Sequence, residues 1–252
     1  MSAIEKGADC LWANTVLFSD HPLQTSSKIL SQCPDLRVVG QPPRLVDAYD
    51  DKDFVNSWLR RTGRFTMPKS CTASSGEDLQ PLLEKYELRL PIVAKPIRGR
   101  GSQGVKVCRT LDELSNHLRE LKTRSILEEF LSGVEGTVAV MPPSADRPSY
   151  WALPLVTRFN HAEGIAPYSG AVAVTANSRI MTPESAREED DDAAAVADVL
   201  RQCEQVAQLL QVKAPIRIDV RKHSDRPGAK FAIFDVNMKP VSLARESTQA
   251  ID

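Results

Sequence analysis

The chain lacks the cysteine pattern of a disulfide framework or a zinc site. Its five cysteines, Cys10, Cys33, Cys71, Cys108 and Cys203, are odd in number, scattered, and include no C-x-x-C pair. We therefore expect a reducing compartment, with the cytoplasm as the default location. The sequence also shows no secretory signal pattern, no internal repeat and no low-complexity tract.

Long apolar runs and an excess of one charge sign are also missing. No run approaches the roughly 20 apolar residues of a membrane span, and the formal net charge is -1. We expect no membrane insertion and no global field that draws the protein to nucleic acid. The chain has 252 residues, of which 42% are apolar and 26% are charged, as in an ordinary globular protein. A chain of this length can form a hydrophobic core without disulfide bonds or structural metal sites.

Helix-like and strand-like segments mix along the chain with several antiparallel pairs, which predicts an α+β fold. Residues 1 to about 50 are weakly patterned and interrupted by prolines. The predicted helices are 26–33, 45–61, 74–86, 111–121 and 193–211. The predicted strands are 12–18, 36–39, 91–95, 105–108, 125–130, 134–141, 150–158 and 170–176. The acidic run 188–192 is interpreted as complementing the N-terminus of the helix that follows it.

The segment from Ala214 to Pro240 predicts a β-hairpin, because apolar and charged residues alternate before and after a polar turn. A turn centred near Pro227 places Asp219 opposite Asp235 and Arg217 opposite Asn237. Side chains directly across an antiparallel pair have Cβ atoms about 5 Å apart.

Two facing carboxylates repel each other unless a cation lies between them. Oxygen ligands from Asp219, Asp235 and Asn237 suit a hard ion such as Mg²⁺, with Mn²⁺ as an alternative, whose shell is completed by phosphate and water. The competing interpretation is an ordinary solvated face of a hairpin.

A glycine loop, Gly99 to Gly104, matches G-x-G-x-x-G through Gly99, Gly101 and Gly104, with Ser102 between them. A dinucleotide site requires a helix directly after these glycines, whereas strand residues follow here. A flexible hairpin that folds over phosphates fits better, as in protein kinases. However, Lys95 precedes the loop rather than following it, and the kinase motifs H-R-D and D-F-G are absent.

Lys95 ends an apolar strand and can bind a nucleotide phosphate as a point charge. The alternative is a strand-end lysine that extends to solvent. We expect Lys95→Ala to weaken ATP binding without unfolding the protein.

A strand that runs into a small turn at E-E-F-L-x-G-x-E can hold a purine. Glu128 and backbone groups would meet the polar edge of the base, and Phe130 and Leu131 would pack on its faces. Glu135 would accept ribose hydroxyls. Core packing is the competing interpretation of Phe130.

The order of these motifs, from Lys95 and the glycine hairpin to R-I-D and D-V-N-x-x-P, resembles the ATP-grasp superfamily and its D-alanine–D-alanine ligase-like branch. The resemblance runs from about Tyr49 to Pro240. It implies an ATP-grasp fold in which two α+β subdomains grip ATP between antiparallel sheets. The expected organisation is a reduced N-terminal segment at 1–64, a central ATP-binding subdomain with the glycine lid loop at 65–131, and a C-terminal subdomain with the metal site at 132–252.

The resemblance also implies residue roles. Lys52 and Lys95 match the two phosphate-binding lysines, and Arg217 matches the arginine that steadies the transferring phosphoryl group. The expected ATP contacts are Lys52, Lys95, Gly99, Gly101, Ser102, Gly104, Glu128, Phe130, Leu131 and Glu135; the expected magnesium ligands are Asp219, Asp235 and Asn237. The family usually carries Glu where Asp235 stands.

The function implied by the resemblance is ATP-dependent carboxylate–amine ligation through an acyl phosphate, on a small amino-acid-like substrate. Two alternatives stay open. A short N-terminal segment and the replacement of the family's glycine acceptor loop by residues 241–246 favour a Mg·ATP-binding regulatory or interaction module, and a small-molecule kinase would use the same nucleotide site. Arg158 and His161 are either substrate contacts or ordinary loop residues. The expected partners are ATP and a small carboxylate or amino acid, with a homodimer left open.

Overall fold

Three β-sheets and the helices packed on them make up the part of the chain that the computed structural model describes, residues 2–12, 20–32, 35–99, 102–166, 177–181 and 193–238. The helices are α1 (Ser2–Glu5), α2 (Pro22–Thr25), α3 (Ser27–Gln32), α4 (Pro43–Tyr49), α5 (Lys52–Arg61), α6 (Leu79–Lys85), α7 (Leu111–Leu121) and α8 (Ala193–Leu209). The strands are β1 (Cys10–Trp12), β2 (Arg37–Val39), β3 (Ser70–Ala73), β4 (Ile92–Pro96), β5 (Lys106–Cys108), β6 (Ser125–Glu129), β7 (Glu135–Met141), β8 (Trp151–Ala152), β9 (Val156–Arg158), β10 (Ser178–Ile180), β11 (Ile216–Lys222) and β12 (Phe231–Asn237).

Two of the three sheets are antiparallel. One has four strands in the order β3-β6-β4-β5, and another has the order β10-β9-β7-β11-β12 with β8 paired to β7. The third is the parallel pair β1-β2. This mixture of helices and antiparallel sheets confirms the α+β class.

The buried apolar residues form two separate clusters. In the first, Ile218 of β11 packs with Val206 of α8 and Leu59 of α5. In the second, Ile92 of β4 and Leu114 of α7 are fully buried. Because side chains alternate across a strand, each sheet that buries one face in a core turns its other face, with the charged residues, away from it.

Several predicted elements are confirmed. The hairpins β4–β5 and β11–β12 form as expected, and α7 has the predicted bounds 111–121. The α3 helix and the β2 strand lie within the predicted 26–33 and 36–39. The strands 12–18 and 170–176 and the acidic run 188–192 fall wholly or mostly outside the described residues.

Other elements differ from the expectation. The helix predicted at 45–61 is two helices, because Asp51 leaves helical geometry and its carboxylate accepts a hydrogen bond from Phe54 N at 2.8 Å to cap α5. The strand predicted at 150–158 is two strands separated by a segment that contains Pro154, which cannot donate to a ladder. The helix predicted at 74–86 begins only at Leu79.

Two strands were missed altogether, Ser70–Ala73 and Ser178–Ile180. The first of them carries small residues without clear alternation. The predicted division of the chain at 64 and 131 stays a prediction, although Val46 of α4 and Leu59 of α5 lie in the same cluster as β11. Over the described ranges, no helix combines the length and apolar character that crossing a bilayer requires.

Candidate functional site

The β11–β12 hairpin has the register predicted from the sequence. Asp219 pairs with Asp235, and Arg217 pairs with Asn237. The pairing then shifts by one residue, from Asp219–Asp235 to Val220–Ile233, which leaves Phe234 as the extra residue of a β-bulge. The bulge lies directly beside the facing carboxylates.

Cationic and amide groups surround these carboxylates. Arg217 Nη2 and Asn237 Nδ2 each donate a hydrogen bond of 3.1 Å to Asp219 Oδ2. The adjacent Asp219 raises the pKa of the Arg217 guanidinium, an effect that burial partly opposes. On the other strand, Asp235 Oδ1 lies 3.3 Å from Lys52 Nζ.

The residues present fit a hard cation. Asp219 Oδ1 and Asp235 Oδ1 are both buried and make no hydrogen bond, although Arg217 Nε lies 3.0 Å from the Asp219 atom in a geometry that forms none. In the described part of the chain, no three His, Cys, Asp or Glu side chains lie together as a metal site would need. The hairpin would instead supply two carboxylates and the Asn237 amide oxygen. Mg²⁺ uses such a ligand set together with phosphate and water.

Lys95 and Glu128 form a buried ion pair on the four-stranded sheet. The Lys95 Nζ lies 2.8 Å from Glu128 Oε1, and it also donates to the carbonyl oxygen of Phe234 at 3.1 Å. Burial raises the pKa of the Glu128 carboxyl, and the Lys95 charge opposes that rise. Lys95 is only 4% exposed, so the interpretation as a lysine that extends to solvent is wrong.

Lys52, the first residue of α5, connects the hairpin to the glycine loop. Its Nζ donates to the carbonyl oxygen of Gly99 at 3.3 Å in addition to its contact with Asp235. Gly104 has φ +72, and a Cβ there would lie 2.8 Å from Leu121 Cδ2, so this position requires glycine. Ser102 is exposed at the loop tip, whereas Gly101 lies outside the described residues.

Glu135 is enclosed by cations on the same sheet. Arg221 of β11 and Arg158 of β9 flank it on the neighbouring strands, with Nη1 atoms 3.5 and 3.8 Å from its carboxylate oxygens. His161 Nε2 lies 2.9 Å from Glu135 Oε2. Arg158 and His161 are thus partners of Glu135, and the ribose role of this carboxylate stays a prediction.

Phe130 and Leu131 follow β6 where the chain crosses to the six-stranded sheet. Leu131 is buried, and Arg221 Cζ lies 5.1 Å from the centre of the half-buried Phe130 ring. Gly164 approaches the same ring, because a Cβ at this glycine would lie 3.1 Å from Phe130 Cε2. Their predicted contacts with a base stay predictions.

Two polar residues of this region were missed by sequence reasoning. Asn56 is buried, and its Nδ2 donates to the carbonyl oxygen of Phe234 at 3.2 Å. Its place one helical turn after Lys52 could have indicated that it shares the same face. Arg221 could have been found from the alternation that already placed Arg217 and Asp219 on one face of β11.

The structure therefore brings together most of the predicted residues. Lys52, Asp235, Asn237, Asp219 and Arg217 form one connected set of contacts. Lys95 and Glu128 join it through the carbonyl of Phe234. Glu135 lies on the same six-stranded sheet, opposite Arg221, two residues along β11 from Asp219.

Part of this chain is similar in sequence to known proteins. Residues 50–140 match the RimK-like ATP-grasp domain. A D-alanine–D-alanine ligase of Aquifex aeolicus is 33% identical over 98 residues, which are 38% of this chain and 32% of that protein.

Solved structures show the same fold over nearly the whole chain. The D-alanine–D-alanine ligase of Coxiella burnetii superposes with a TM-score of 0.62 at 14% identity, over 91% of this chain and 58% of that one. The ligase of Bacillus anthracis, solved with ATP, gives a TM-score of 0.61 at 20% identity over 95% and 72% of the two chains. The D-Ala:D-Ser ligase VanG of Enterococcus faecalis gives 0.63 at 20% identity over 92% and 64%. This chain thus spans about a third of the Aquifex ligase and somewhat over half of the Coxiella one.

Proposed function

We propose, from the ATP-grasp fold of this chain and its RimK-like ATP-grasp domain at residues 50–140, that it binds Mg·ATP and uses it to join a carboxylate to an amine. Both substrates would be small and amino-acid-like, and the activated species would be an acyl phosphate. The ligase identity of the similar proteins supports this reaction class.

The observation that carries the proposal is the pair of buried, unbonded carboxylate oxygens on Asp219 and Asp235. They face each other across the hairpin, and the cations Lys52 and Arg217 lie within 3.3 and 3.0 Å of them. Buried carboxylates are costly unless charge partners or a metal compensate them. A polyanionic ligand that binds together with a metal cation would neutralise both the two carboxylates and the charges of Lys52 and Arg217.

Each charged group has a task in this reaction. Asp219, Asp235 and the Asn237 amide oxygen would hold Mg²⁺, which would offset the charge of the phosphates when bound. Lys52 and Arg217 would bind the transferring phosphoryl group, and the remaining proton of the Lys95 ammonium is free to meet a phosphate oxygen. Preorganised donors of this kind stabilise developing charge by about 3 kcal/mol each.

The proposed chemistry needs no nucleophilic side chain. The carboxylate oxygen of the substrate attacks the γ-phosphorus, a new P–O bond forms, and ADP leaves with the electrons of the broken bond. The amine lone pair then forms the C–N bond, the C–O bond to phosphate breaks, and the amine nitrogen loses one proton. Positioning and charge stabilisation are the main requirements of the first step.

The adenosine end would lie where β6 crosses to β7. Glu128 Oε2 is buried without a hydrogen-bond partner and could accept a hydrogen bond from a purine amino group. Phe130 and Leu131 would pack on the base, and Glu135 would exchange its His161 contact for ribose hydroxyls. The loop with Gly99, Gly101, Ser102 and Gly104 would cover the phosphates.

ADP release from the purified protein tests the proposal. We expect release only when a carboxylate and an amine are both supplied with Mg²⁺ and ATP. Asp235→Asn keeps the shape of the side chain but removes its charge, and should lower the rate at least 100-fold. Asp225→Asn, on the exposed turn of the same hairpin, is the matched control and should keep the wild-type rate.

Other outcomes separate the alternatives. Mg·ATP binding in calorimetry without ADP release under any acid and amine pair identifies a binding module. Release with a stable phosphorylated product identifies a kinase. Wild-type Mg-dependent nucleotide binding in Asp235→Asn contradicts the assigned metal site.

A further inference from the structure

The α5 helix carries three polar side chains along one face, at Lys52, Asn56 and Arg60. Residues four apart lie above one another on a helix. Lys52 bonds the glycine loop and Asp235, Asn56 bonds Phe234, and Arg60 Nη2 donates to the carbonyl oxygen of Pro68 at 3.4 Å. Val55 and Leu59 of the same helix are buried beside Asn56.

The carbonyl oxygen of Phe234 receives two side-chain donors from outside its own sheet. Asn56 Nδ2 reaches it at 3.2 Å and Lys95 Nζ at 3.1 Å. Phe234 is the extra residue of the bulge, and the extra residue of a bulge drops out of regular ladder pairing. Both side-chain donors therefore hold this carbonyl in place at the bulge.

Fixing this carbonyl also fixes the backbone of Asp235. The peptide unit is planar, so the Phe234 oxygen, the Asp235 nitrogen and the Asp235 Cα move as one rigid plate. A rotation of that plate would carry the Asp235 carboxylate away from Asp219, which lies opposite it across the hairpin. Asn56 is 3% exposed, so water does not readily replace its amide.

We propose that Asn56 is a positioning residue for the metal end of this site: its amide and the Lys95 ammonium together clamp the Phe234 carbonyl and so hold Asp235 facing Asp219. The inference rests on the proposed function, since it concerns the ligands assigned there. Asn56 would act on the Asp235 carboxylate through the Phe234 peptide, to which its amide donates. Outer partners of this kind change metal affinity by about 10- to 100-fold when they are lost.

Titration of Mg²⁺ at a fixed concentration of AMP-PNP, a non-hydrolysable ATP analogue, tests the role by calorimetry on the full chain. In Asn56→Leu, which keeps the size of the side chain but removes the donor, the half-saturating Mg²⁺ concentration should rise at least tenfold. AMP-PNP binding without metal should change less than twofold. A merely structural role would lower the melting temperature and leave the Mg²⁺ dependence alone.

Ser57→Ala is the matched control. The Ser57 hydroxyl bonds Asp53 within the same helix at 3.2 Å and does not reach the hairpin. Its half-saturating Mg²⁺ concentration should stay at the wild-type value. If Asn56→Leu does not fold, Asn56→Asp supplies the measurement, since the carboxylate has the same shape and cannot donate when ionised.

The possible failures are distinguishable. A wild-type protein that shows no Mg-dependent AMP-PNP binding overturns the proposed function itself. A wild type that binds, with Asn56→Leu and Asn56→Asp within twofold of its Mg²⁺ dependence, overturns only the role of Asn56. An equal shift in Ser57→Ala also overturns that role, because the effect would then belong to the helix as a whole.

Discussion

At the scale of single residues, the Lys95–Glu128 pair has a structural role in addition to the binding role proposed for it. Both side chains are buried, and Lys95 Nζ lies 2.8 Å from Glu128 Oε1. A buried ion pair adds little stability over a well-packed apolar pair, but removal of one partner is strongly destabilising because the other charge stays buried. Lys95 therefore cannot be studied as an isolated phosphate ligand.

Because Glu128 would be left buried without its partner, we now expect substitution of Lys95 to lower the stability of the fold. We expect Lys95→Met to lower the free energy of unfolding by about 3 kcal/mol, measured by urea denaturation. The double variant Lys95→Met/Glu128→Gln removes the stranded carboxylate and should recover more than half of that loss. Equal stability of the single and double variants would show that Glu128 does not depend on Lys95.

The residues proposed as metal ligands were predictable from sequence, whereas the contacts that position them were not. Alternation and a short turn define the facing of Asp219 and Asp235. Nothing in the run Ala232–Phe234 marks a bulge, because all three residues are apolar. Asn56 is separated from Phe234 by 178 positions, so their hydrogen bond depends on the tertiary arrangement.

At the scale of secondary structure, the turn between β6 and β7 depends on close backbone approach. A Cβ at Gly133 would lie 2.6 Å from the carbonyl oxygen of Ser224 and 2.7 Å from Lys222 Cβ. Backbone at that distance cannot move aside without shifting β11. The glycine in E-E-F-L-x-G-x-E thus keeps the crossing between the two sheets tight.

Gly133→Ala should destabilise the protein by about 1–3 kcal/mol, because the added methyl overpacks the crossing. Chemical denaturation measures this. Gly99→Ala is the control for stability, since among the described residues beyond its chain neighbours the atom nearest to its Cβ position is Pro96 Cβ, at 3.7 Å. A loss in Gly99→Ala as large as that in Gly133→Ala would show that steric contact with Ser224 is not the cause.

The first residues of the helices show where the local sequence pattern no longer determines the structure. The α7 helix matches its prediction because Thr110 caps it by accepting a hydrogen bond from Glu113 N, a signal carried in the sequence itself. Ser74 and Glu77 carry a similar signal, and their hydrogen bond forms at 2.8 Å, yet the helix begins only at Leu79. The same side-chain contact closes a turn there instead of opening a helix.

At the scale of the whole molecule, two separate apolar clusters lie on either side of the polar contacts described above. The four-stranded sheet with α7 contains one cluster, and the six-stranded sheet with α8 contains the other. Regions with separate cores can open separately, each with its own free energy.

Leu114→Ala tests this division. Leu114 is fully buried in the cluster of the four-stranded sheet, and its truncation should cost about 2–5 kcal/mol there. Hydrogen exchange followed by mass spectrometry should show faster exchange in β4 and β6 while β7 and β11 keep their wild-type protection. Uniform acceleration across both sheets would mean that the molecule unfolds as one unit.

The hydrogen bond from Lys95 to the Phe234 carbonyl joins the four-stranded sheet to the six-stranded sheet. This link has a consequence for the proposed reaction. If the protein turns over ATP as proposed, a separation of the two sheets that releases ADP would break that bond and move the Lys95 ammonium away from the Phe234 carbonyl. Release of ADP and loss of the proposed contact between Lys95 and phosphate would then occur together. A new nucleotide would then meet the complete set of proposed phosphate-binding side chains only after the two sheets had closed again.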